Sequence, residues 1–182
     1  MILKKTSIHG CLKILPIKKR DLRGSFHRSF CKDKLRRNKI KFDIKQCNVS
    51  INLKKHTLRG FHFQKKPYTE NKILKVIKGS IYNITIDLRK KSKTFMKKYI
   101  TTMNELKNDE ILIPAGCANA FLTLEKNTII HYYMDSFFEK NSKNNYSGIR
   151  FDDKYFNIRW PHKPKVISKK DKNFKSFSME NI

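Results

Sequence analysis

Acidic residues are scarce in this chain. It has 15 Asp and Glu against 42 Lys and Arg in 182 residues, a formal net charge of +27. Among the cations it is arginine that is rare, at 9 against 33 lysines. Forked recognition of bases and phosphates favours arginine, so the charge is a weak pointer to a dedicated nucleic-acid surface. Lys, Ile, Asn and Phe are the residues that AT-rich codons supply, and compositional drift accounts for the excess. Cysteine is sparse too: Cys11, Cys31, Cys47 and Cys117 stand far apart, with no CxxC pair and no histidine at finger spacing. That argues against a disulfide framework and a structural zinc site, and suits free thiols in a reducing cytoplasm. No stretch approaches the roughly 20 apolar residues of a membrane span. The segment Met1–Leu15 is broken by Lys4, Lys5, His9 and Lys13, which disqualifies it as a signal peptide. No period of about 20–50 residues repeats, which argues against a solenoid or propeller.

Aromatics, by contrast, are plentiful. Thirteen Phe and seven Tyr in a chain that is 38% hydrophobic imply a packed core rather than a disordered basic tail. The length suits one domain over 1–182. Ile81–Leu88 alternates at period two, with Tyr82, Ile84, Ile86 and Leu88 on one face. Lys72–Lys78 precedes it, and Gly79-Ser80 between them reads as a two-residue turn joining an antiparallel pair. Further strands are expected over Ile44–Leu53, Thr57–Gln64, Thr94–Thr102, Glu110–Ile113, Ala120–Leu124 and Thr128–Met134. Helical signals are few and short, Asp33–Arg37 being one. Many short strands with turns between them predict an all-β sandwich or barrel. Glu139–Ser147 reads as an exposed polar loop, and the Lys-rich tail after Ser168 as a segment that first lies on the barrel and frays over about the last ten residues.

The informative stretch is Thr57–Gln64, TLRGFHFQ. On a strand His62 and Gln64 point to the same face. If that face lines the interior, an imidazole and an amide share a cavity, with Arg59 and Lys72 as cations near the strand ends. Alone, a strand histidine is more often a buried, hydrogen-bonded core residue.

Together with other segments the pattern resembles the dTDP-4-dehydrorhamnose 3,5-epimerases, sugar-nucleotide epimerases of the cupin superfamily. Asp21-Leu22-Arg23-Gly24-Ser25-Phe26 is similar to that family's D-x-R-G-x-F, Gln46-Cys47-Asn48 to its Q-x-N, and Leu58–Gln64 to its LRGxHxQ. Lys72 follows His62 by ten residues. Gly79, Asp87-Leu88-Arg89 and Ile113-Pro114-Ala115-Gly116 fall in register. So do Ile149–Asp153 (with Phe151 for the family's Trp), Trp160-Pro161 and Ser168-Lys169-Lys170-Asp171. Each motif is weak singly, but in order they span residues 8–175.

The resemblance implies a cupin-type double-stranded β-helix, or jelly roll, with short helical turns. It implies a homodimer whose N-terminal strands complete the neighbour's sheet, and neither cofactor nor metal. Its substrate class is a nucleotide-linked 4-keto-6-deoxy sugar, inverted at C3, C5 or both through an enolate, in deoxysugar synthesis for surface polysaccharide. His62 is then the base, with Asp171 as its carboxylate partner. Lys72 is the cation beside the enolate oxygen, and Tyr132 the acid on the opposite face. Arg59 and Arg23 suit the diphosphate, with Arg23 and Phe26 reaching in from the neighbouring subunit. Gln46 and Asn48 neighbour the base and phosphates. Three positions depart from the family: Arg28 for a glutamate of the nucleotide-facing run, Asn119 for a histidine, and Phe138 for a second tyrosine. About three extra residues follow in the 139–147 loop. The departures suggest another nucleotide sugar, or inversion of a single carbon. Two other readings are an inactive cupin acting as a basic binding module and a sugar 3,4-ketoisomerase. The first does not explain why His62, Lys72, Tyr132 and Asp171 persist together, and relatives of the second usually lack the C-terminal motifs.

Overall fold

The computed structural model describes residues 1–137 and 146–182. Period-two alternation organises it. Lys72–Lys78 turns Leu74 and Val76 to one side, where they pack with Ile81, Met103, Ile111, Phe121 and Ile130. Its alternate residue Ile73 joins a second cluster with Ile14, Leu35, Phe42 and Leu112 on the other side. A strand buried on both faces belongs in the middle of a covered sheet.

The strands are β1 (Ile2–Lys5), β2 (Leu12–Leu15), β3 (Lys19–Asp21), β4 (Gly24–Phe26), β5 (Gln46–Asn52), β6 (Thr57–Gln64), β7 (Lys72–Lys78) and β8 (Ser80–Asp87). They continue as β9 (Lys98–Asn104), β10 (Glu110–Ile113), β11 (Cys117–Thr123), β12 (Thr128–Met134), β13 (Tyr146–Gly148) and β14 (Val166–Ile167). Two short helices, α1 (Lys32–Arg37) and α2 (Lys169–Lys172), complete the frame. One sheet runs β1-β2-β10-β7-β12-β5 and the other β13-β6-β11-β8-β9, with β14 added parallel to β6. The expected jelly roll is what forms. Among the described residues no helix is long and apolar enough to cross a membrane.

The sequence reading needs correction in three places. β7 and β8 are not a hairpin pair: β7 bonds to β10 and β12, while β8 bonds to β11 and β9. Gly79, at φ +78° with room for a Cβ only 2.6 Å from the Thr128 hydroxyl, makes a corner that carries the chain from one sheet to the other. A positive-φ glycine permits a corner as readily as a hairpin. β9 begins at Lys98 rather than Thr94, because the Ser92 and Thr94 hydroxyls both donate to the buried Asp87 carboxylate at 2.6 Å and tie the preceding residues into a loop. The shared face expected for Tyr82, Ile84 and Ile86 does form, and it lies under the C-terminal segment, against Phe156, Trp160, Phe177 and Ile182. Finally, Tyr146 and Ser147, expected in an exposed loop, open β13 against Gln64 and Phe63. Residues 139–145 of that loop lie outside the described residues.

The N-terminal strands divide. β1 and β2 add to the edge of this chain's own sheet through β10, whereas β3 and β4 pair only with each other. That hairpin leaves Leu22 and Phe26 exposed.

The feature that most affects the site is a one-residue irregularity in β6. Asn119 lies opposite His62 while Phe121 lies opposite Arg59, so three steps along β6 match two along β11. The extra residue is a β-bulge, which re-aims the side chains beyond it. Gly60 sits in it at φ +114°, and a Cβ there would stand 2.5 Å from the Asn119 carbonyl oxygen and 2.7 Å from Ala120 Cα. Gly60→Ala adds a clash with backbone to a strained φ, and is expected to cost roughly 3 kcal/mol or more. Thermal unfolding measures it; a midpoint equal to that of the wild type contradicts the account.

Candidate active site

The two sheets and α2 each contribute to one group of side chains. β6 carries His62 and Gln64, β11 carries Asn119, β7 carries Lys72 and β12 carries Tyr132. His62, Asn119, Lys72 and Tyr132 line a cavity of about 260 Å³ together with Asn48, Arg59, Glu70, Phe121 and Tyr146; Gln64 reaches the group through Glu70. A second cavity of about 380 Å³, lined by Leu58, Ile167, Ser168, Lys170 and Asp171, shares Arg59, His62 and Tyr146 with the first. On a regular strand, Arg59 and His62 would face opposite ways. The bulge at Gly60 lets both reach the same space.

His62 Nε2 lies 2.8 Å from Asp171 Oδ1, and Asp171 Oδ2 accepts the Gly60 N–H at 3.0 Å. The Asp171 N–H in turn donates to the Ser168 hydroxyl, which caps α2. Burial alone would raise the Asp171 pKa. The His62 contact and the Gly60 N–H outweigh it and hold the carboxyl below its ordinary range. An ionised carboxylate only accepts, so Nε2 carries the proton and Nδ1 is the basic nitrogen. Burial depresses the imidazole pKa below 6.5 against the opposing pull of Asp171, and Lys72 and Lys170 push the same way as burial. The result is a neutral base oriented by its partner. Tyr146 lies tilted on the His62 ring at 5.1 Å, and Phe174 meets it edge-on at 5.8 Å.

Opposite stand a cation and a phenol. Lys72 is buried, and its ammonium donates to Glu70 Oε1 at 3.1 Å. Burial raises the Tyr132 pKa well above its ordinary value, so the phenol keeps its proton through the neutral range. Asn119, also buried, accepts from the Thr85 hydroxyl at 3.1 Å. A neutral base facing a cation and a protonated phenol is suited to moving protons at carbon next to a carbonyl.

Other expected site residues are placed differently. Asn48 lines the cavity, its amide donating to Met134 Sδ at 3.0 Å, whereas Gln46 sits at the start of β5 beside Asn48. Arg59 lines both cavities and donates to Asn52 Oδ1 at 2.8 Å. Arg23 pairs with Asp21 on the exposed β3–β4 hairpin. Phe26 and Arg28 flank a separate surface cavity with Ile17, His27 and Cys31. Within one chain, Arg23, Phe26 and Arg28 are thus not brought to His62. Phe138 lies outside the described residues. Glu70 and Tyr146 were missed from the sequence. Glu70 stands two residues before Lys72, at the spacing that shares a face in extended chain, but it follows the turn-like Pro67-Tyr68-Thr69. Tyr146 was hidden in a polar run.

Comparison with known proteins points to one family. The family model described as dTDP-4-dehydrorhamnose 3,5-epimerase matches residues 5–179. A dTDP-4-dehydrorhamnose 3,5-epimerase of Methanothermobacter thermautotrophicus is 33% identical over 175 residues, covering 94% of this chain and 91% of the relative. The crystal structure of the Bacillus anthracis enzyme of that name, with TDP and PPi bound, superimposes with a TM-score of 0.91 at 31% identity, covering 97% of this chain and 99% of that one. A dTDP-6-deoxy-D-glucose-3,5-epimerase of Legionella pneumophila, in complex with dTDP-4-keto-L-rhamnose, gives 0.88 at 26% identity, with 96% and 92% covered.

Proposed function

The chain belongs to the dTDP-4-dehydrorhamnose 3,5-epimerase family, and from that premise we propose that it inverts C3, C5 or both in a nucleotide-linked 4-keto-6-deoxy sugar. The favoured reaction takes dTDP-4-dehydro-6-deoxyglucose to dTDP-4-dehydrorhamnose. The observation that carries it is His62, held by Asp171 from behind, sharing one cavity with Lys72 and Tyr132.

The chemistry follows from the substrate. Its C4 keto group acidifies the protons on C3 and C5. His62 takes one of them as the C–H bond breaks, and the electron pair moves onto the keto oxygen as an enolate. Lys72 stabilises that oxygen. Tyr132 then gives its phenolic proton to the same carbon from the opposite face, which inverts the centre, and solvent restores both groups. No atom is lost or gained, as epimerisation requires. Arg59, at the junction of the two cavities, suits the diphosphate as a guanidinium fork. In this reading Asn48 and its neighbour Gln46 serve the nucleotide end.

The working unit we propose is a homodimer of one-domain chains in the cytoplasm. β5 is an edge strand with Val49 and Ile51 exposed, and the β3–β4 hairpin does not bring Phe26 and Arg23 to His62 of its own chain. Exposed strand edges of this kind favour pairing with a second copy. Arg23 and Phe26 would then complete the partner's nucleotide site, and the four free cysteines suit a reducing compartment.

Incubation with dTDP-4-keto-6-deoxyglucose in D2O tests the reaction. Deuterium at C3, C5 or both, read by NMR, is expected. Exchange at neither carbon, for this sugar and for its GDP and CDP counterparts, overturns the proposal.

A further inference from the structure

Among the described residues, Glu70 is the one carboxylate besides Asp171 within the group of reacting side chains, and nothing in the reaction as described uses it. Its side chain is 5% exposed. Both of its oxygens are engaged inside the cavity: Oε1 accepts from the Lys72 ammonium at 3.1 Å and Oε2 from the Gln64 amide at 2.6 Å. Gln64 is itself buried on β6, two residues from His62 and on the same face. A chain of contacts therefore runs from the strand that carries the base to the cation that faces it. It crosses from one sheet to the other through a single carboxylate.

We propose that Glu70 is a positioning residue for Lys72, fixing its ammonium toward the reacting oxygen and tying that position to the strand of His62. The inference rests on the epimerase reading above. A lysine side chain has four rotatable bonds, and a flexible cation stabilises a developing enolate poorly unless another group holds it. A carboxylate anchored at its other oxygen by an amide supplies that hold. It also offsets the Lys72 charge, in a cavity where the ammonium opposes protonation of His62. The charged and titratable groups facing His62 are Asp171 and Lys170 at α2, Lys72 on β7, Tyr146 on β13 and Tyr132 on β12. Glu70 acts on the base through the second of these elements.

Two variants separate positioning from a merely structural ion pair. Glu70→Ala releases Lys72, and kcat for C3/C5 exchange is expected to fall about 10–100-fold with KM within about threefold of the wild type. Glu70→Gln keeps the shape and an acceptor oxygen but loses the charge. The Lys72 charge then acts on His62 unopposed, and the acid limb of the kcat–pH profile is expected to move down by about one unit. Wild-type kcat and an unmoved acid limb in Glu70→Gln overturn the inference. So does a raised KM at unchanged kcat, which would make Glu70 a substrate contact. If Glu70→Ala does not fold, the isosteric Glu70→Gln profile decides alone. Absence of deuterium exchange in the wild type defeats the epimerase reading itself, whereas exchange in the wild type with identical variants defeats only the role of Glu70.

Discussion

Replacing His62 by alanine is expected to lower kcat for deuterium exchange by about 10²–10⁴-fold, the usual worth of a positioned general base. The fold should survive, since about a quarter of the side chain is exposed and Asp171 keeps its Gly60 N–H contact. The loss should fall on kcat, because among the described residues lining the cavity no other neutral base replaces the imidazole. A His62→Ala protein that still exchanges at the wild-type rate removes His62 from its role. The pH profile supplies a second reading. The His62 pKa is depressed below 6.5, so the base stays neutral, and activity persists, below that pH. Activity then fails as the pH drops through the lowered value and the imidazole takes up a proton. An acid limb lying above pH 6.5 contradicts this.

Lys72→Met is expected to cost about 10²–10³-fold in kcat, the range found when one donor to a developing oxyanion is removed. It also leaves Glu70 buried with only Gln64 as a donor, and a carboxylate stripped of its partner in a buried place is destabilising. The double variant Lys72→Met/Glu70→Gln removes both charges and should recover thermal stability without recovering rate. Stability regained without exchange assigns the loss to chemistry. Rate regained with stability shows that Lys72 served only the fold.

How much of this was readable from residues alone depends on the kind of information each feature carries. Burial on alternate faces is local, and it marked β6, β7, β8 and β12 correctly. Sheet membership is not local. Gly79 announces a change of direction, yet nothing in Lys72–Asp87 says that β7 must find β10 and β12 while β8 finds β11 and β9. β1 and β2 escaped notice because lysines interrupt ILKK and LKIL, and the pairing that orders them comes from β10. The candidate residues His62, Lys72, Tyr132 and Asp171 came from motif resemblance, and the structure brings them into one group. Glu70 and Tyr146 did not, since their importance lies in what they touch: Lys72 and Gln64 for one, the His62 ring and the Lys170 ammonium for the other.

The bulge at Gly60 makes the active site depend on a count. With one residue more than its neighbour, β6 delivers a guanidinium and an imidazole to one side of a sheet whose parity would otherwise separate them. Deleting a single residue there would leave β6 as well paired as before, or better, yet would send either Arg59 or His62 into the core behind the sheet. Substitutions grade activity down, but a change of length at this point acts as an on–off setting. The odd residue is therefore under a tighter constraint than the identity of most side chains around it.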